Sequence, residues 1–238
     1  MHKFDAWLLG KGHRLHQFLR MQGVYPAVFS TLLCFTLWGV RVYWGRTWTF
    51  YFLLWNLFLA WIPYLCSLWA VSWQQRFPRR WWLLLLPGVI GIAFFPNAPY
   101  IVTDFLHLQE RLPIPLWYDI GLLASFAWTG LVLGAYALRL MQNIVQVWVG
   151  RILSWGFALM VVGMSGMGIY MGRFLRWNSW DLITQPQAIL YDLAIRIRHP
   201  LGHKGTYAVA LLFSALMFAC YFALTAGPTP EAAPGETK

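Results

Sequence analysis

Charge is scarce in this chain. Only 11% of its 238 residues are Asp, Glu, Lys or Arg, and just 8 are acidic. A soluble domain carries about 25% charged residues, so a water-facing globule is excluded. The 3 cysteines, Cys34, Cys66 and Cys220, all sit in apolar runs. An odd number cannot form a complete disulfide framework, and none has metal-ligand spacing, so they read as small packing residues. Several catalytic signatures are missing as well: a phosphate-binding loop, a dinucleotide fingerprint, His-Glu-x-x-His and Gly-x-Ser-x-Gly. Ser165, between Gly163 and Gly166, is only a faint likeness to a membrane serine nucleophile. No transporter-type repeat stands out. No cleavable signal is expected, because the first apolar run starts only near Ala27 and no small-residue cleavage pattern follows it.

Apolar sequence is what the chain has in abundance. It is 59% hydrophobic, with a mean hydropathy of +0.53 and 16 Trp. About 20 apolar residues cross a bilayer, with a range of roughly 17–25, and six stretches are long enough, the first being short: Ala27–Trp44, Trp48–Ser72, Trp81–Val102, Trp117–Leu140, Ile152–Gly172 and Tyr207–Thr225. The fold class expected is all-α, a polytopic membrane protein of about six transmembrane helices plus interfacial helices. Residues 1–26 read as a basic amphipathic segment, 27–225 as the membrane domain and 226–238, rich in Pro, Ala, Gly and acid, as a disordered tail. The net charge of +10 is spread over the ends of apolar runs. That placement suits anionic lipid rather than nucleic acid.

Two spans carry small residues at close-packing spacing, Gly130 with Gly134 and Gly168 with Gly172. They are expected to touch each other or the third span. Met160, Met164, Met167 and Met171 form a row read as packing.

With six spans both termini share a side, which carries 10 Lys and Arg against 8 on the other. This places the termini weakly in the cytoplasm. Every acid outside the termini falls on the second side: Asp104, Glu110, Asp119, Asp181 and Asp192. Arginine on the side that orientation statistics disfavour is expected to have a specific partner.

The third span ends in FFPNAPYIVTDFLHLQE, residues 94–110. Proline interrupts a regular helix, and Ala98, before Pro99, is expected in extended geometry. Broken backbone at membrane depth must be buried in protein or line a wet cavity. Asp104 and His107 are three apart, so Thr103 or Asp104 at a helix cap would set both side chains on one face. With Asp119 from the next segment they form a candidate acid–base set, and the same three groups are the right types for a divalent ion. That spacing is no established metal motif, so no metal or cofactor is assigned. Candidate ligand-binding residues are Asn97, Tyr100, Arg173, Arg176, Asn178 and Asp181. Arg173 and Arg176 suit an anion or internal salt bridges.

Residues 184–199 read as a surface helix, with Thr184 and Gln187 as a capping box, an apolar stripe of Ile189, Leu190, Leu193 and Ile197, and an Asp192–Arg196 pair.

Three motifs, FPNAPYIVTDFLHL, WYD at 117–119 and GRFLRWNSWD at 172–181, resemble an uncharacterised family of bacterial integral membrane proteins, domain of unknown function 1361. The resemblance would cover roughly residues 35–220. It implies multi-pass topology in the bacterial inner membrane and these motif positions, and brings no reaction with it. The leading functional expectation is binding or processing of an anionic lipid or lipid-linked headgroup at the outer face. A small transporter or channel, and a membrane partner subunit or assembly factor, stay open. Membrane lipids, a helix–helix partner and a second copy are the partners considered.

Overall fold

The computed structural model describes residues 12, 13 and 15–225. The expected basic segment 1–26 falls partly, and the tail 226–238 wholly, outside the described residues. Within them the chain is helical, and the only extended pairing is a single bridge between Arg111 and Ile114. After helical residues 15–21 come α1 (Val24–Gly45) and α2 (Phe52–Arg76), which continues through the buried Pro63. A 3₁₀ turn at Trp81–Leu84 leads into α3 (Leu85–Phe94), then a single turn, α4 (Asn97–Tyr100), and a 3₁₀ helix at Ile101–His107. The long α5 (Leu116–Phe174) follows, then α6 (Asp181–Thr184), α7 (Pro186–Arg198) and α8 (Lys204–Thr225).

Five helical stretches are long and apolar enough to cross a membrane. The longest, α5, has 59 residues, far beyond one crossing. It breaks at Gly150, whose φ of 84° and ψ of 175° lie in a region open essentially only to glycine. Beyond Gly150 the chain turns back along α8. Advancing along α8, Met217 meets Gly134 and Tyr221 meets Gln142, so contacts advance along the first half of α5. Along the second half they retreat: Ser214 donates to the Val162 carbonyl at 3.0 Å, and Tyr221 packs on Trp155. The two halves are antiparallel. The five stretches make six crossings, as the apolar pattern predicts.

The third crossing is the irregular one. Pro99 cannot donate a backbone hydrogen bond, yet Ala98 is helical and not extended as expected. Pro99 occupies the first turn of a new helix, where its missing donor costs nothing. The Ala98 amide bonds to Phe95 at 3.1 Å, in 3₁₀ fashion. That leaves the Phe94 carbonyl without the Ala98 amide, and the Asn97 side chain donates to it at 2.9 Å.

Glycines hold this broken segment in place. A Cβ at Gly130 would collide with the Ala98 carbonyl, and one at Gly168 would come within 2.7 Å of Pro96. Gly134 faces Ala98, and Gly172 faces Tyr100. Both halves of α5 therefore grip the Pro96–Tyr100 turn from their small-residue faces, which meets the expectation that these helices touch the third span. The methionine row behaves otherwise: Met160 and Met164 are exposed on the outer surface, and none of the four belongs to the buried core.

Contacts sort the residues to two ends. At one end Arg41 meets Asp119, Asn56 meets Asp104, and Tyr207 donates to the Arg196 carbonyl. At the other Tyr64 donates to the Gln22 carbonyl and Gly23 abuts Tyr136. Three arginines at the charged end, Arg41, Arg173 and Arg196, pair with Asp119, Asp104 and Asp192. These three have the specific partner expected of arginine at this end, whereas among the described residues Arg176 has no ion-pair partner.

Candidate functional site

Arg173 ends the last turn of α5 and reaches across to the Ile101–His107 3₁₀ helix. Its Nε donates to the Thr103 hydroxyl at 2.7 Å, and Thr103 in turn donates to the Tyr100 carbonyl at 2.7 Å. Its Nη2 donates to Asp104 Oδ1 in an ion pair, and its Nη1 bonds to His107 Nε2 at 3.0 Å. The guanidinium also lies over the Tyr100 ring, 4.5 Å from the centroid, in cation–π contact. Side chains three apart eclipse in a 3₁₀ helix, so Tyr100, Thr103 and Asp104 with His107 present one face to one cation. The expected cap at Thr103 or Asp104 is absent, since the 3₁₀ helix starts earlier, at Ile101.

Asp104 is 1% exposed. Its second oxygen accepts from Asn56 Nδ2 of α2 at 2.7 Å. Both oxygens are thus engaged, as a buried charge requires. Arginine has only donors, so His107 Nε2 is the acceptor and its proton sits on Nδ1. The Phe52 ring meets the same imidazole edge-on at 5.0 Å.

Asp119 is elsewhere, which corrects its expected grouping with Asp104 and His107. It pairs with Arg41 at 2.7 Å, both essentially buried, and Arg41 lies against Phe50. WYD opens α5 and faces α1, whereas the Asp104 cluster faces α2 and the end of α5. The three groups proposed for a divalent ion are therefore not assembled. Among the described residues no cluster of three His, Cys, Asp or Glu comes together.

Arg176 also stands apart from Arg173. It adopts a left-handed φ of 62°, which lets the Trp177 amide return to the Met171 carbonyl at 3.1 Å. The turn throws Arg176 outward, where it is exposed, and folds Trp177 inward. Among the described residues Arg176 makes no ion pair. Asp181 accepts from the Asn178 amide at 2.7 Å and from the Thr184 hydroxyl at 3.1 Å. The Asn178 amide bond chiefly, aided by Thr184, holds its carboxyl below the ordinary value. Thr184 thereby serves α6, and no capping box forms: α7 starts at Pro186 with no side-chain cap. The stripe on α7 is split, with Ile189 buried while Leu190 and Ile197 face outward. Arg196 takes the inward position between them, beside Asp192 and over Tyr170.

Beside the ionic cluster lies a pocket of about 190 Å³. Its walls are Trp55 and Asn56 of α2, Pro96, Asn97 and Tyr100 of the broken segment, Gly168 and Gly172 of α5, and Trp177–Trp180 with Ile189. Asn97 closes the corner by donating to the Ser179 hydroxyl at 2.9 Å. Asn56 and Tyr100 are shared walls, with the pocket on one side and Asp104 or Arg173 on the other. Of the residues singled out from sequence, the structure gathers Asn97, Tyr100 and Asn178 at the pocket and Asp104, His107 and Arg173 at the cluster. Asp181 braces the 178–181 turn. Trp55 carries no motif that marks it, while Thr103 and Trp177 lie inside the sequence motifs without having been singled out for the site. Asn56 and Arg41 are marked, as polar groups inside or ending an apolar run.

A family model described as protein of unknown function (DUF1361) matches residues 55–220. The chain belongs to this family. The match begins at Trp55, later than the expected 35, and takes in every pocket residue and the whole Asp104 cluster. It leaves out Arg41. No curated protein and no solved structure matches the chain.

Proposed function

We propose that this membrane protein binds the headgroup of a membrane lipid, or of a lipid-linked molecule, in the Trp55–Asn97–Trp177 pocket. The pocket's position carries the reading. It is built at the charged end of the bundle, where α2, the broken third crossing, α5 and the start of α7 meet. Its rim residues Trp55, Trp180 and Leu182 are exposed and apolar, so a headgroup can enter while its acyl chains stay against the bundle. Outward-facing Leu190 and Ile197 let α7 lie in the interface plane beside it.

Binding is favoured over catalysis by the state of the candidate acid–base pair. Both Asp104 oxygens and His107 Nε2 are occupied by partners within the protein. In this reading the Asp104–Arg173–His107 cluster fixes the pocket wall and does not act on a substrate. Local bonding of two polar groups inside the fourth span speaks against a channel: Ser125 donates to Gly121 and Thr129 to Ser125, each at 2.8 Å. The membrane proposed is the bacterial inner membrane, with the termini cytoplasmic and the pocket at the outer face. The greater number of Lys and Arg at the terminal side supports that orientation.

Native mass spectrometry of protein extracted without harsh detergent tests the reading. A lipid adduct is expected on the wild type and is expected to weaken in Trp55→Ala and Trp180→Ala, whose exposed rings are dispensable for the core. An adduct equally strong in all three proteins overturns it.

A further inference from the structure

We infer that the headgroup taken by this pocket is a neutral, hydroxyl-rich unit, a single glycosyl ring, rather than a phosphate or an ammonium. The inference rests on the pocket reading above and specifies its ligand. No side chain lining the pocket carries a charge. Arg173 does not line the cavity: it commits one N–H from each of its three nitrogens to Thr103, His107 and Asp104, and it stands behind the Tyr100 ring. Arg176 points outward and does not line the cavity.

The free polar atoms decide the chemistry. Asn97 spends both amide hydrogens on Phe94 and Ser179 and keeps an unpartnered carbonyl oxygen. Asn56 and Asn178 each use their amide nitrogen once, on Asp104 and Asp181, and their oxygens make no hydrogen bond. Three amide oxygens without a partner repel a phosphate. The remaining donors are the second N–H of Asn56 and of Asn178, the Ser179 and Tyr100 hydroxyls and the indole N–H groups of Trp55 and Trp180. An ammonium would leave all of these unmatched, and unmatched buried donors weaken binding. A sugar hydroxyl donates and accepts at once, so it suits a wall of mixed amides and hydroxyls. The indoles of Trp55, Trp177 and Trp180 supply flat apolar surface for the C–H face of a ring. Trp177 is held for this by its indole N–H, which donates to Asp192 Oδ2 at 2.8 Å. At about 190 Å³ the cavity is smaller than the roughly 300 Å³ at which pockets for drug-sized ligands begin, so it has room for a single ring.

The test is competitive. The full chain is placed in nanodiscs containing equal parts of a monoglucosyl diacylglycerol, a phosphatidylglycerol and a phosphatidylethanolamine with matched acyl chains. Lipid retained after release is read by native mass spectrometry. The wild type is expected to keep one glucosyl lipid in preference to both others. Trp55→Ala and Trp180→Ala are each expected to lower that preference about two- to tenfold, the loss of one stacked ring. A preference for either phospholipid that the tryptophan variants abolish overturns the glycosyl assignment and leaves the pocket reading standing. Retention that is absent, or unchanged in both variants, overturns the two together.

Discussion

Arg173 shows what a single side chain can organise when it is nearly buried. It holds a carboxylate, an imidazole, a hydroxyl and an aromatic face. Removing it strands Asp104 with only Asn56 as a partner, and an uncompensated buried charge costs about 3–5 kcal/mol. Arg173→Met is therefore expected to lower the melting temperature in detergent sharply. Asp104→Asn combined with Arg173→Met is expected to recover much of the loss, because no charge is left buried. A double variant as unstable as the single would contradict the ion-pair account. Asp181 makes the opposite kind of contribution, at the surface. Its carboxyl is held below the ordinary value of 3.8, chiefly by the Asn178 amide. A depressed carboxylate stabilises above its unfolded value and stops doing so as pH falls through the folded one. The 178–184 turn is thus expected to be intact at neutral pH and to loosen below 3.8. Hydrogen exchange corrected for intrinsic rates measures this, and Asp181→Ala, which removes the acceptor, is expected to free the Asn178 amide already at neutral pH.

Elements are positioned here by the absence of side chains. The Pro96–Tyr100 turn fits between the two halves of α5 only because Gly130 and Gly168 have no Cβ. Gly130→Ala and Gly168→Ala are each expected to cost about 1–3 kcal/mol, as overpacking does. Gly163→Ala, which meets open space, is expected to be neutral and serves as the control. Thermal unfolding in detergent compares the three. Gly150 is a different case: space is open around it, but its φ of 84° and ψ of 175° are strained for any other residue. Gly150→Ala is expected to cost about 1–3 kcal/mol through backbone strain alone. A neutral result would mean that the hairpin does not depend on that conformation.

At the scale of the whole molecule, the reversal at Gly150 sets the number of crossings and hence the side on which every loop lies. Cysteines placed one at a time at Arg79, Val149 and Gln109, all exposed, are a direct check by labelling with an impermeant maleimide in sealed vesicles. The buried Cys34 and Cys66 leave little background, and Cys220 is half-buried. Positions 79 and 149 are expected to label from one side and 109 from the other. Position 149 labelling with 109 would deny the sixth crossing.

Sequence alone was sufficient for the membrane class, the crossings and the polar end of the bundle. Hydrocarbon enforces long apolar runs and expels acids to their ends, so those features are written in one dimension. It also assigned Asp104, His107 and Arg173 to one polar site, with several acids open as partners for Arg173. Partner choice was beyond it. Asp119 is as near to the charged end as Asp104 is, yet it pairs with Arg41 because α1 and the start of α5 share a wall. Ala98 is helical although it precedes a proline, because the turn is gripped by two glycine faces some 30 and 70 residues further along. Tertiary packing alone decided which charges meet and where a cavity is left, since both depend on distances between helices that no local spacing encodes.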